Sequence, residues 1–170
     1  MRALSGKWAH RREALAVLVL RLGLGWFLLV WAINKFLAPD QYMRLWNYIH
    51  DTKIGETGPY YIGAVQVVIV VAIIIGAGRP VSYGLGLAMH VVSTSAVWPR
   101  LMDPFVIEKG FPVNRNLSIT LAALGAFVAL WLLRHRDHWS FDAWFAARRK
   151  RRREYVEKPA TGPEAPSKLG

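Results

Sequence analysis

His90 lies in the middle of a long apolar segment, with Ser93 and Thr94 three and four residues further on. At helical spacing these side chains share one face. A histidine in such surroundings can be a hydrogen-bonded structural group, a proton carrier, a partner for a quinone carbonyl or a metal or haem ligand. Ser93, Thr94 and Gln66 could each satisfy it structurally. His90 is therefore the candidate catalytic residue, with a structural role as the alternative.

The residue types that are missing narrow the chemistry. The other histidines lie in tails or a loop, so we expect no bis-histidine haem and no metal site. The chain has no cysteine, which excludes thiolate nucleophiles and iron–sulfur clusters of its own. The apolar segments contain no Asp or Glu, which argues against a proton-coupled exporter. Any redox cofactor would come from lipid or from a partner.

Two cations occur in the first apolar segment. Arg21 lies about 10 Å inside it, and Lys35 lies near its far end. Arg21 either extends back to lipid phosphates or faces the other helices, sharing one stripe with Gly25 and Lys35. Lys35, beside Asn34, is either an interfacial anchor or part of a binding site.

Polar residues on the later segments complete the candidate site. Gln66 lies among valines and isoleucines, so its amide is expected to bond to another helix or to face a ligand. Asn114 or Asn116 either caps the last long helix or forms a polar vestibule with Arg115 and Lys35. The candidate cofactor-binding residues are Arg21, Asn34, Lys35, Gln66, His90, Thr94, Asn114, Arg115 and Asn116.

Four apolar runs can position these residues. They are long enough to cross a bilayer and cover residues 14–38, 60–77, 81–98 and 117–133. A glycine and a proline at 78–80 predict a tight antiparallel link. Small residues at Ser118, Ala122 and Ala126 favour close helix packing. We therefore predict an all-α integral membrane protein, a four-helix antiparallel bundle with an amphipathic cytoplasmic tail helix.

The charges predict the orientation. Of the 170 residues 54% are hydrophobic, yet the net charge is +11. Fifteen of the 22 basic residues lie in the N-terminal segment, the 78–80 link and the tail, against six around the other loops. Both termini are therefore expected in the cytoplasm. The remaining loops predict a short amphipathic helix within 39–59 and an irregular apolar cover over 99–113.

The tail is predicted to bind the membrane surface. Residues 1–13 are predicted to be a cytoplasmic segment and residues 14–135 the membrane domain. The tail then consists of a basic interfacial helix over 136–157 and a disordered end over 158–170. Its aromatic and arginine residues would contact anionic head groups rather than nucleic acid. The expected anchoring residues are Trp139, Trp144, Phe145, Arg148, Arg149, Arg151 and Arg152.

The segment 20–37 carries an arginine, a glycine and a terminal lysine, a short turn follows at 78–80, and Asn114 and Asn116 open the last long apolar segment. In these features there is a resemblance to DoxX-like proteins. It covers roughly residues 14–135, although many members carry a glutamate where this chain has Gln66. It implies a four-helix protein of the bacterial inner membrane. DoxD-type relatives are subunits of thiosulfate:quinone oxidoreductase, and others associate with thiol-detoxifying or superoxide-removing enzymes.

Three functions are therefore expected alternatives. The first is a quinone-associated accessory subunit of a membrane redox complex, with isoprenoid quinone as its cofactor. The second is a non-catalytic assembly subunit that binds a larger complex or further copies of the chain. The third is a transporter of small molecules or lipids.

Overall fold

The structure is a computed structural model, and it describes residues 2–108 and 111–157. This part of the chain is mostly helical. It forms the α-helices α1 (Arg2–Leu37), α2 (Pro39–His50), α3 (Gly58–Ile75), α4 (Arg79–Ala96), α5 (Trp98–Leu101), α6 (Ser118–Leu132) and α7 (Phe141–Glu157). Short 3-10 turns occupy Arg115–Leu117 and Arg134–Arg136, and β1 (Ile107–Glu108) pairs antiparallel with β2 (Phe111–Pro112).

Three stretches are long and apolar enough to cross a membrane. They are Trp8–Leu37, Gly58–Ile75 and Arg115–Leu132. Helix α4 has the same length as α3, 18 residues, but its sequence is more polar. Its buried residues include Ser82, Tyr83, His90 and Thr94, so its polarity faces the protein interior.

The four long helices contact one another in a ring. Helix α1 packs on α3, α3 on α4, α4 on α6, and α6 on α1. The core between them consists of Val17, Leu24, Leu28, Val70, Ile73, Tyr83, Phe127 and Leu130. Glycines permit the close approach: a Cβ on Gly86 would lie 2.7 Å from Ile73, and one on Gly63 would lie 2.8 Å from Phe36. The outward faces are apolar, as shown by Val65, Val68, Val81, Val92, Ile119 and Val128.

The tight link between α3 and α4 is confirmed. Gly76 and Gly78 both adopt positive φ angles of 71° and 56°, which glycine accepts without strain. Proline then occupies the first turn of α4, where its missing N–H costs nothing. This link lies at the end of the molecule where α7 follows α6, here called the tail end.

The opposite end, here called the loop end, carries α2, α5 and the β-hairpin. The short helix predicted within 39–59 is confirmed as α2. The prediction of an irregular cover over 99–113 was wrong in part, because α5 and the β1–β2 pair give it regular structure. The Arg100 guanidinium lies 4.1 Å from the centre of the Tyr48 ring and joins α5 to α2.

The observed bounds differ from the predicted spans at their ends. Helix α1 begins at Arg2, because the polar residues before Ala14 continue the same helix. The tail helix begins at Phe141 and not at residue 136, because a 3-10 turn and a four-residue connection come first. The predicted disordered end, 158–170, lies outside the described residues.

Candidate functional site

Arg21 is buried at the tail end and bound to a carboxylate. Its Nη1 donates to Asp137 Oδ2 at 2.8 Å, and its Nη2 donates to the Trp139 carbonyl at 2.9 Å. The Tyr83 hydroxyl donates to the same Asp137 oxygen. Arg21 is 4% exposed and Asp137 is 0% exposed, so both charges are withdrawn from solvent. Arg21 therefore faces the interior, and here we call Arg21, Tyr83 and Asp137 the buried triad.

The depth predicted for Arg21 was misleading. A Cβ on Gly76 would overlap both the Arg21 guanidinium and Ser140. Gly76 lies in the α3–α4 link, so Arg21 is level with this link and not part-way along the helix bundle. The reason is that α1 extends beyond the link, where Ala14 is also buried.

Asp142 joins the tail helix to the start of α4. Its carboxylate accepts the backbone N–H groups of Gly78 and Arg79, each at 3.0 Å, and lies 3.4 Å from the Arg79 guanidinium. Arg79 also donates to the Asp137 and Arg134 carbonyls. Burial alone would raise the pKa of Asp142, but the two N–H groups and Arg79 outweigh it and lower that pKa.

We expect the Asp142 side chain to titrate below 3.8, its ordinary value. Because the folded pKa is depressed, its contribution to stability is full above the unfolded pKa and is lost as pH falls through the folded one. Carboxyl-carbon NMR of the protein in detergent measures the midpoint. Arg79→Gln should move it upward, and a wild-type midpoint at or above 3.8 would contradict the assignment.

Three acids at the tail end each pair with one arginine. Glu13 binds Arg136 at 3.0 Å, Asp137 binds Arg21, and Asp142 binds Arg79. Together they fix the connection after α6 against α1 and the α3–α4 link. Asp137 and Tyr83 were not among the predicted site residues. A usable signal was present, because a buried arginine is usually paired with a carboxylate and Asp137 is the first acid after the last apolar run.

His90 is buried between one aromatic ring of α1 and one of α6. Its ring centre lies 5.6 Å from that of Phe27 and 5.1 Å from that of Phe127. Its Nε2 lies 2.9 Å from the Thr120 carbonyl of α6. A carbonyl only accepts, so Nε2 carries the hydrogen. The predicted structural role is supported, but the partner is a backbone group and not Ser93, Thr94 or Gln66.

Replacing His90 with phenylalanine should lower the free energy of unfolding by about 1 kcal/mol, because the ring contacts remain and one hydrogen bond is lost. Replacing it with alanine should cost about 3 kcal/mol, because a cavity also forms. Denaturant titration in detergent distinguishes these losses. A His90→Phe protein as stable as wild type would show that the Thr120 bond contributes nothing.

Lys35 is buried at the loop end, on the same face of α1 as Arg21. Its Nζ donates to the Trp31 carbonyl at 3.1 Å and lies 4.8 Å from the centre of the Tyr42 ring. Burial raises the pKa of Tyr42, whose hydroxyl stays neutral beneath the cation. Lys35 is therefore held by α1 and α2 and does not extend along the outer surface.

Thr94 and Gln66 are the remaining polar candidates on α4 and α3. The Thr94 hydroxyl is buried without a hydrogen-bond partner in the described residues. Gln66 lies in register with the buried positions Gly63 and Val70 of α3 and is half-buried. No interhelical hydrogen bond from its amide occurs in residues 2–108 and 111–157, although the sequence favoured one.

The predicted vestibule is not assembled. Asn114 takes the cap position of the 3-10 turn, but its side chain makes no cap bond and donates instead to the Asp103 carbonyl at 2.9 Å. Arg115 and Asn116 are exposed, and Asn34 is half-buried near Lys35. The candidate residues thus divide between the tail end, the bundle middle and the loop end and do not form one site.

The predicted anchoring residues lie on or beside α7. Trp139, Trp144 and Phe145 are about half-exposed. The guanidinium of Arg148 lies 5.3 Å from the Trp144 ring centre, and that of Arg149 lies 5.3 Å from the Phe145 ring centre. Arg151 and Arg152 are exposed further along the helix. The start of α7 thus combines aromatic surface with positive charge.

Comparison with known proteins found no matching family model, no similar curated protein and no similar solved structure. The DoxX-like resemblance therefore stays a prediction from the residues that carry it.

Proposed function

We propose that this protein is a non-catalytic subunit of a larger complex in the bacterial inner membrane. In this proposal α1, α3, α4 and α6 all cross the bilayer, and both termini lie in the cytoplasm. Helix α4 is counted among the membrane-crossing helices because several of its polar side chains are buried inside the protein. Its exposed face carries apolar residues that can contact lipid, including Val81, Leu85 and Val92. The basic residues of the tail support the orientation.

The observation that carries the non-catalytic role is that the strongest chemical candidates have internal partners. Arg21 binds Asp137, His90 binds the Thr120 carbonyl, and Lys35 binds the Trp31 carbonyl. Each of these groups makes at least one hydrogen bond within the protein, and such bonds between buried groups stabilise one arrangement of the helices. The role of these residues is therefore better explained as holding the helices together than as carrying out a reaction.

The surface proposed to bind the partner is the exposed small-residue face of α6. Ser118, Ala122 and Gly125 are exposed at spacings of four and three residues. Ala126 instead turns inward and packs on the core. Small residues let two membrane helices approach closely, and this packing is a main source of their association.

The test is affinity purification of the tagged full-length protein from its own membranes. The Ser118→Leu/Ala122→Leu variant should recover about tenfold less of the copurifying proteins, since a loss of 1.4 kcal/mol has that effect. Ala64→Leu is the control, because Ala64 is exposed on α3. His90→Ala should retain the complex. Equal recovery with the double variant and with the control would contradict this surface.

A second candidate function is the binding of a quinone beside His90. The buried Thr94 hydroxyl supports it, since it lies one turn from His90 with its hydrogen-bonding capacity unused among the described residues. The DoxX-like resemblance supports it as well. Quinone should then copurify in detergent and be lost in Thr94→Val. Lipid extracts without quinone, together with unchanged quinone reduction by His90→Ala membranes, would contradict this function.

A further inference from the structure

A shallow depression of about 550 Å³, open to the surface and here called the cavity, lies between the end of α3 and the start of α7. Its walls are mostly apolar and aromatic, and they include Ile75, Trp139, Phe141 and Trp144. This volume is within the range of small-molecule sites, and an apolar lining favours hydrocarbon. Because the buried triad and Asp142 fix the connection before α7, both walls of the cavity are held in place.

A positive charge lies beside one of the residues that line this cavity. Arg148 holds its guanidinium over the ring of Trp144, which lines the cavity. Arginine binds phosphate through paired N–H donors, and its contact with an aromatic ring leaves edge donors free for that purpose. An occupant that satisfies both parts has an apolar portion and a phosphate.

We propose that this cavity is a specific site for one anionic phospholipid of the cytoplasmic leaflet. The lipid's glycerol and upper chain would lie against Trp139 and Trp144, and its phosphate would bind Arg148. The inference rests on the membrane embedding stated under Proposed function. It goes beyond diffuse attraction by the tail, because it assigns different roles to arginines on the same helix.

The test uses the full-length protein in phosphatidylcholine nanodiscs that contain increasing fractions of phosphatidylglycerol with brominated chains. Bromine quenches nearby tryptophan fluorescence, and Trp144→Phe identifies the part of the signal that reports this cavity. We expect Arg148→Gln to raise the half-saturating phosphatidylglycerol fraction about tenfold. Arg153→Gln, which removes an exposed charge from the same helix, should have less than half that effect. Equal shifts would show diffuse attraction and overturn the proposal.

A second pair of variants tests the apolar part. Ala147 lines the cavity, whereas Ala146 is exposed beside it and does not. Ala147→Leu should abolish the saturable quenching, and Ala146→Leu should leave it unchanged. Quenching that is the same with brominated phosphatidylcholine would also overturn the site.

Carbonate extraction of wild-type membranes separates the lipid site from the membrane embedding on which it rests. Release of the protein contradicts the membrane embedding, whereas retention without phosphatidylglycerol preference contradicts the lipid site alone.

Discussion

Replacing Asp137 with asparagine should lower the free energy of unfolding by about 3–5 kcal/mol, because the change leaves the Arg21 charge buried without its counter-charge. Asparagine keeps the shape of the side chain, so the loss reports charge more than volume. Unfolding by denaturant in mild detergent, followed by circular dichroism, measures the change. Arg21→Met should lower the free energy of unfolding by a similar amount, because it leaves the Asp137 carboxylate buried without its counter-charge.

Glu13→Gln is the matched control. The Glu13–Arg136 pair joins the same two parts of the chain, but its side chains are 48% and 46% exposed. Exposed pairs contribute about 0–1 kcal/mol. The Arg21→Met/Asp137→Leu double variant should recover much of the lost stability, because neither charge then remains buried alone. A cost for Asp137→Asn no larger than that for Glu13→Gln would contradict the role given to the buried triad.

Gly76→Ala should destabilise the protein by about 2–5 kcal/mol. Its positive φ costs a side-chain-bearing residue about 1–2 kcal/mol, and the added methyl group must also displace Arg21 and Ser140. Gly78→Ala is the control, because Gly78 has a positive φ but no atom within 4 Å of the added Cβ. It should cost about 1–2 kcal/mol. Thermal unfolding of both variants in one detergent gives the comparison, and equal losses would contradict the close approach at Gly76.

The elements that were predicted correctly are those with local signals. The α3–α4 link follows from glycine and proline chemistry within three residues, and α2 follows from the helical spacing of Tyr42, Leu45 and Trp46. The β1–β2 pair has two residues in each strand, too few for any alternation to be read. Local sequence patterns therefore predicted the helices and the turn between α3 and α4, but not the structure of the segment 99–113.

The partners of the polar residues could not be predicted in the same way. Asp137 is 116 residues from Arg21, and no spacing rule connects positions so distant. The partners of His90 and Lys35 are backbone carbonyls, which every residue possesses. The sequence indicated which side chains need partners inside an apolar bundle, and tertiary packing determined which groups supply them.

Labelling of single cysteines tests the membrane arrangement most directly. The chain has no cysteine, so Arg12→Cys, Lys53→Cys, Asp103→Cys and Tyr155→Cys each introduce one site. With four crossings, a membrane-impermeant maleimide added outside intact cells or spheroplasts should label positions 53 and 103. Positions 12 and 155 should be labelled only after lysis. Labelling of 12 and 155 from opposite sides would mean that α4 does not cross, and it would contradict the four-span account.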